Sequence, residues 1–300
     1  MSEPAVQAPP SPYKGLTHYT EEDTGFFFGR EAERGVIIAN LMASRLTLVY
    51  GASGVGKSSL MRAGVARHLR DLTQQDLEEF GEAQFLPVVF TAWKDDPIGE
   101  LLNCTKVAAE ALIGRFPDVP DGRLDEQLAA VTEELGTTLL IILDQFEEYF
   151  LYHPRDEGPG TFAGDFPRAV NRRDLRANFA VSIREDAIAM LDRFKGRIPH
   201  LFENYLRIDH LSRDAARDAI EKPIEEYNRL HPDEPVEIEP ELVEAVLDQI
   251  RTGAVVLGQT GQGTVNGGKR ADGGKPGDDK IETPYLQLVM SRLWSEEMGK

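Results

Sequence analysis

LTLVYGASGVGKSS, running from Leu46 to Ser59, decides how the rest of the chain is read. Its first five residues, Leu46 to Tyr50, are apolar or β-branched and read as a short strand; a glycine-rich turn and the opening of a helix follow. Inside it, Gly51, Gly56, Lys57 and Ser58 satisfy the G-x-x-x-x-G-K-[ST] spacing, in the strand-to-helix context that gives the spacing its meaning. Gly51, Gly54 and Gly56 let backbone N–H groups point inward where a side chain would block a phosphate. Lys57 can set its ammonium between β- and γ-phosphates, and the Ser58 hydroxyl can be one ligand of a magnesium ion. The unpaired N–H groups of the same helix terminus add a positive field. Gly51, Ala52, Ser53, Gly54, Val55, Gly56, Lys57, Ser58 and Ser59 therefore form the expected nucleotide cradle.

Working outward, 300 residues are enough for one large domain or two smaller ones. The formal charge of -18 argues against non-specific binding of nucleic acid or anionic membrane by the body as a whole. Cys104 is the single cysteine, which excludes an internal disulfide framework and fits a reducing compartment. Residues 1–12 are proline-rich without a hydrophobic segment, so they read as a disordered tail rather than a leader. The longest strongly apolar run, Leu139 to Leu143, is far too short to span a bilayer. The expected location is cytoplasmic.

Along the chain, Tyr13 to Glu31 is aromatic and charged, and a helix is expected from Glu31 to about Ser44. Phe26 to Phe28 can pack near a nucleotide base, or this segment can be a strap tied to the core by its aromatics; Arg30 can brace it or meet a phosphate. The helix opened by Lys57 is expected to reach about Arg70. Strands follow at 85–91, 138–144, 179–183 and 205–208, with helices at 98–116 and 126–135, a loop at 154–166 and a short helix at 165–174. This alternation predicts an α/β three-layer domain with a central parallel sheet. Beyond Leu211 the pattern becomes helical: 212–230, 240–250 and a third helix after Pro284. The glycine-rich stretch 253–280 reads as a flexible insertion.

Hydrolysis needs a carboxylate on the metal side and a group that orients water. Asp144, at the carboxyl end of the most hydrophobic strand, suits the first task, because open α/β sheets bind ligands at those strand ends. Glu147 or Glu148 suits the second, with Glu147 slightly preferred. Arg184, ending the FAVSI strand, can hydrogen-bond a γ-phosphate or pair with Glu185 or Asp186. The six histidines lack metal-ligand spacing, so magnesium is the metal implied.

Taken together, YKGLTHYTEEDTGFFFGRE (13–31), VYGASGVGKSSLMRAG (49–64), LLIILDQFEEYF (139–150), FAVSIREDAIAML (179–191), LSRDAARDAIEKPIEEY (211–227) and PYLQLVMSRLW (284–294) resemble the STAND class of P-loop NTPases, and within it the novel STAND NTPase 1 group. The resemblance implies a P-loop nucleotide-binding domain over 13–210, then a helical lid and a winged-helix region over 211–300 that the glycine-rich stretch would interrupt. It implies a switch that binds and slowly hydrolyses ATP with magnesium, alternating between a closed ADP state and a self-associating ATP state. By motif, Ser58 and Asp144 would hold the metal, Glu147 or Glu148 would be the distal acid and Arg184 the sensor. Phe28, Gly29 and Arg30 would lie beside the nucleotide, and Pro223 would approach the base. The repeat array and effector domain common in such proteins have no counterpart here, so the chain reads as an isolated module or a fragment with unknown partners. Two other readings remain open: a nucleic-acid-associated AAA-like ATPase, which the acidic balance opposes, and a small-molecule kinase, which needs an acceptor pocket.

Overall fold

A computed structural model describes residues 11–252, 255–257, 263–265 and 280–298. Five strands, β1 (Leu46–Gly51), β2 (Phe85–Phe90), β3 (Thr138–Leu143), β4 (Ala177–Arg184) and β5 (Tyr205–Arg207), form one parallel sheet in the order β2-β3-β4-β1-β5. Leu139 to Leu143 of β3 are all fully buried, so side chains on both faces of this strand are covered. Full burial of each such aliphatic is worth about 1.5–3 kcal/mol, which anchors the residue that follows the strand, Asp144.

The strand order matters more than the strand count. Because β4 lies between β1 and β3, the register sets Gly51 opposite Arg184 and Val181 opposite Leu143. The carboxyl ends of the three strands therefore bring the start of the phosphate loop, Arg184 and Asp144 to one edge of the sheet.

Local sequence explains most of the connecting helices. Pro97–Ile113 starts where the Asp96 side chain accepts the Gly99 N–H at 3.0 Å, with proline in the first turn. The helix opened by Lys57 continues well past Arg70. It is α-helical over Lys57–Ser59, π-helical over Leu60–Ala66 and α-helical again over Arg67–Phe80. The helix expected at 165–174 occupies Phe162–Asn171, capped by Thr161, whose hydroxyl accepts the Gly164 N–H. Pro167 within it made the earlier start hard to read, since proline removes the N–H that would bond the Ala163 carbonyl. Arg197 satisfies that carbonyl instead, donating from Nη1 at 3.1 Å.

This sheet and its helices make one compact unit, Ala32–Ser53 with Lys57–Ile208. The second unit gathers residues up to Glu31, Gly54–Gly56 and the chain from Asp209 onward. The aromatic segment at 13–31, expected with the nucleotide-binding domain, thus groups with the C-terminal helices. It is a strap: the buried Tyr13 hydroxyl donates to the Ile220 carbonyl at 2.6 Å, the Tyr19 hydroxyl donates to Gln287 at 2.8 Å, and Tyr13 packs edge-on against Trp294. The helices here are Arg213–Leu230, Pro240–Gln249 and Thr283–Met298, with Tyr227, Val243, Leu247 and Leu286 in their shared core. Short antiparallel pairs join Leu211–Ser212 to Lys280–Ile281 and Val255–Leu257 to Gly263–Val265. The expected tail at 1–12 lies almost wholly outside the described residues, as does most of the stretch expected to be a flexible insertion and interrupted winged helix. No described helix is long and apolar enough to cross a membrane.

Gly29 joins strap to helix. Its φ is +84°, and a Cβ there would collide with the backbone oxygen of Ala215. Gly29→Ala should therefore destabilise the protein by about 2–4 kcal/mol, combining backbone strain with a clash that no rotamer relieves. Urea unfolding checks this, and an unchanged midpoint would refute the packing role.

Candidate functional site

In the sheet unit, the Lys57 ammonium folds back onto the loop, donating to the carbonyls of Gly51 and Ala52 at 2.9 Å each. Burial pushes its pKa down, and the negative charges of Glu147 and Asp144 pull the other way. A buried cation held by backbone carbonyls is suited to an incoming anion. Ser58, one residue on, lies 3.2 Å from Asp144 through its hydroxyl.

Asp144 is fully buried at the end of β3. Its N–H donates to the Phe90 carbonyl at 3.0 Å, and its own carbonyl accepts the Trp93 indole N–H at 2.7 Å. Trp93 is locked edge-on against Phe90, Phe146 and Phe162, so an aromatic block fixes the backbone behind the carboxylate. One carboxylate oxygen faces Ser58; the other receives Arg62, whose Nε and Nη2 both lie 3.3 Å away.

The chain then turns sharply through Gln145, a non-glycine residue with φ of +56°. That left-handed conformation costs about 1–3 kcal/mol and clusters at functional sites. Its effect is to start a short helix, Glu147–Tyr152, directly after Phe146. The Glu147 carboxylate accepts the Arg184 backbone N–H at 3.1 Å, which pins this helix to the end of β4. Glu148 makes no such tie. Partial burial, then repulsion from Glu147 and Asp144, raises its pKa, with Arg62 opposing. Its surroundings therefore disfavour the charged form.

The Arg184 guanidinium pairs with Asp186, its Nε and Nη2 donating at 3.0 and 2.6 Å. Asp186 is thus the partner chosen between the two carboxylates considered from the sequence. The register still sets the Arg184 backbone beside Gly51.

In the second unit, Gly54 and Gly56 have φ of +83° and +91°, and a Cβ on Gly54 would lie 2.8 Å from Cγ of Pro284. The Thr283 methyl group sits at 3.8 Å from the corresponding point on Gly56. Arg30 is buried and donates from Nη2 to the carbonyls of Val55 and Asp209, each at 2.8 Å. Arg30 therefore braces the loop through its backbone. Pro223 is buried inside the helix Arg213–Leu230. Pro284 lies against the loop at Gly54; the sequence reading placed it only as a helix start, and its position three residues after the Lys280–Ile281 strand gave no signal of the contact.

The donor set fits magnesium. Ser58 and Asp144 offer hard oxygens within hydrogen-bond distance, and magnesium typically uses one or two protein ligands together with phosphates and water.

A parallel sheet with this strand order, a glycine loop before a lysine-led helix and a buried aspartate at the end of β3, with β4 between it and the loop's strand, define a P-loop nucleotide-binding protein. The family model for Novel STAND NTPase 1 matches residues 12–300, and the chain belongs to that family. No curated protein shows a significant match. Among solved structures, the chain is similar to the ORC2 protein of Aeropyrum pernix in its ADPNP-ADP complexes, at 16% identity and a TM-score of 0.53, covering 90% of this chain and 64% of that one. It is also similar to the Walker-type ATPase PABY2304 of Pyrococcus abyssi, at 17% identity and a TM-score of 0.51, covering 81% and 67%. CDC6P from Pyrobaculum aerophilum follows at 14% identity and a TM-score of 0.50, covering 99% and 65%. This chain thus spans about two thirds of those proteins. At such identities the likeness concerns the fold.

The strain at Gln145 is measurable. Gln145→Gly should leave stability within about 1 kcal/mol of the parent, since relief of the positive φ offsets the added chain entropy of glycine. Gln145→Val should lose about 1–3 kcal/mol. Equal unfolding midpoints for the two variants would show that the turn is unstrained.

Proposed function

We propose that the chain is a magnesium-dependent, ATP-binding and slowly hydrolysing molecular switch. The observation that carries this reading is the 3.2 Å approach of the Ser58 hydroxyl to the Asp144 carboxylate beside a glycine loop and its lysine. ATP is preferred to GTP because the sequence holds nothing like the Asn-Lys-x-Asp box that reads guanine.

In this reading Lys57 exchanges its two carbonyl partners for β- and γ-phosphate oxygens, and the loop amides of Gly54 to Ser58 complete the cradle. Ser58 and Asp144 would hold magnesium, which when bound neutralises charge on the phosphates. Glu147 holds the start of its helix against β4 through the Arg184 N–H, which leaves Glu148 as the carboxylate that takes a proton from water. Arg184 would leave Asp186 for a γ-phosphate, so loss of that phosphate would return it to Asp186. Such an exchange of guanidinium partners is a physical route from nucleotide state to movement or self-association. A cytoplasmic setting fits the single cysteine.

Two substitutions separate binding from turnover. Lys57→Ala should weaken ATP binding at least about tenfold, the scale of one charge-assisted contact, as read by fluorescent-nucleotide titration; an unaltered Kd removes the loop from the site. Joint replacement Glu147→Gln and Glu148→Gln should preserve binding and cut phosphate release by about 100-fold or more, the contribution typical of a general base. Undiminished release would exclude both carboxylates from water activation.

The switch itself is read by mass. Light scattering of the full chain with ADP and with a non-hydrolysable ATP analogue should give different masses or radii. Identical values in both would leave an ATPase without switching.

A further inference from the structure

Lys57, Arg62 and Arg184 are cations near the carboxylates at the sheet edge, and they are used differently; Arg184 is paired with Asp186. Lys57 is spent on backbone carbonyls. Arg62 lies on Asp144, with two guanidinium nitrogens 3.3 Å from the same carboxylate oxygen, and its charge also reaches Glu148. The Arg62 side chain is 19% exposed and that of Asp144 1%, so the pair is mostly withdrawn from water. Ser58 and Arg62 sit four residues apart, which brings both onto the helix side that meets Asp144. Arg62 also falls within the π-helical stretch Leu60–Ala66, a local departure that recurs at functional sites.

We infer that Arg62 is a resident counter-cation for Asp144 that competes with magnesium. The inference rests on the nucleotide-site reading above and adds a regulating residue to it. A buried carboxylate close to two further carboxylates needs a positive partner when no metal is present. Arg62 supplies one from within the chain. Arg62 occupies one Asp144 oxygen and Ser58 the other, so a divalent ion on the Ser58 side meets a carboxylate whose charge the guanidinium already offsets, and one that takes both oxygens displaces it. Either way the metal-free state is stabilised and the metal requirement rises; nucleotide held without metal leaves the Arg62–Asp144 pair intact, and the metal weakens it. The site accordingly distinguishes nucleotide alone from nucleotide with magnesium, through a residue outside the phosphate-loop motif. Arg62 acts here as a positioning residue, because it works through Asp144.

The test uses the full chain as wild type, Arg62→Gln, Arg62→Lys, Asp144→Asn and the double variant Arg62→Gln with Asp144→Asn. The first readout is the magnesium concentration that half-saturates the binding response of a fluorescent ATP analogue, at constant ionic strength because the pair is screened by salt. Arg62→Gln should lower that concentration about tenfold, a coupling within the usual range for competing ligands. Arg62→Lys, which keeps the charge without the fork, should fall between. In the Asp144→Asn background Arg62→Gln should produce no further change. An unchanged or higher half-saturation in Arg62→Gln, with Arg62→Lys like wild type, would mean that the arginine supports the metal site rather than competing for it.

The second readout is thermal unfolding without nucleotide. In EDTA, Arg62→Gln should melt below wild type, and magnesium chloride alone should restore it more than it shifts wild type. A deficit that magnesium does not touch would assign the arginine to packing only and overturn the inference. Should wild type bind no nucleotide at all, the proposed function falls, and this second readout still decides whether Arg62 and magnesium contend for Asp144.

Discussion

Asp144 is a carboxylate that the fold has removed from water and must therefore satisfy by other means. Burial is imposed by β3, whose preceding residues are wholly enclosed, and satisfaction comes from Ser58 on one oxygen and Arg62 on the other. Much of the surrounding design follows from that constraint. The aromatic block around Trp93 fixes the main chain behind the carboxylate, and the left-handed Gln145 turns the next helix so that Glu147 reaches the end of β4. An acid held this firmly is costly unless it receives a cation, and Arg62 offers an internal one.

The phosphate loop divides its obligations. Lys57 and Ser58 belong with the sheet, whereas Gly54 to Gly56 group with the strap and the C-terminal helices, where Arg30 grips the Val55 carbonyl and Pro284 presses on Gly54. The Gly54 to Gly56 backbone is thus shaped by the strap and the C-terminal helices. Glycine at 54 permits this, because its positive φ curls the backbone and its missing Cβ admits the proline.

Local chemistry made part of this legible in the sequence and hid the rest. The loop motif, the apolar run of β3 and the aspartate that ends it are contiguous signals: the sheet class is legible in them, and they single out Lys57, Ser58 and Asp144 as candidates. Arg62 was quoted within a motif yet given no role, because its meaning depends on an approach to a residue 82 positions away. Pro284 was hidden for a similar reason: nothing near it in the chain announces Gly54. Gln145 gave no warning either, since a positive φ at a non-glycine residue is a product of tertiary packing rather than of propensity. The tethering of the strap depends on Tyr13 and Tyr19 reaching Ile220 and Gln287, partners more than 200 residues away in the chain.

The chain holds two tryptophans, and they fall one to each compact unit. Trp93 gives its indole proton to the Asp144 carbonyl, while Trp294 stacks edge-on with Tyr13 and Tyr227. Nature has thereby installed two optical probes, one wired to the acid at the sheet edge and one seated between strap and helices. Emission from single-tryptophan versions would let each half of the molecule report its own state without any attached dye.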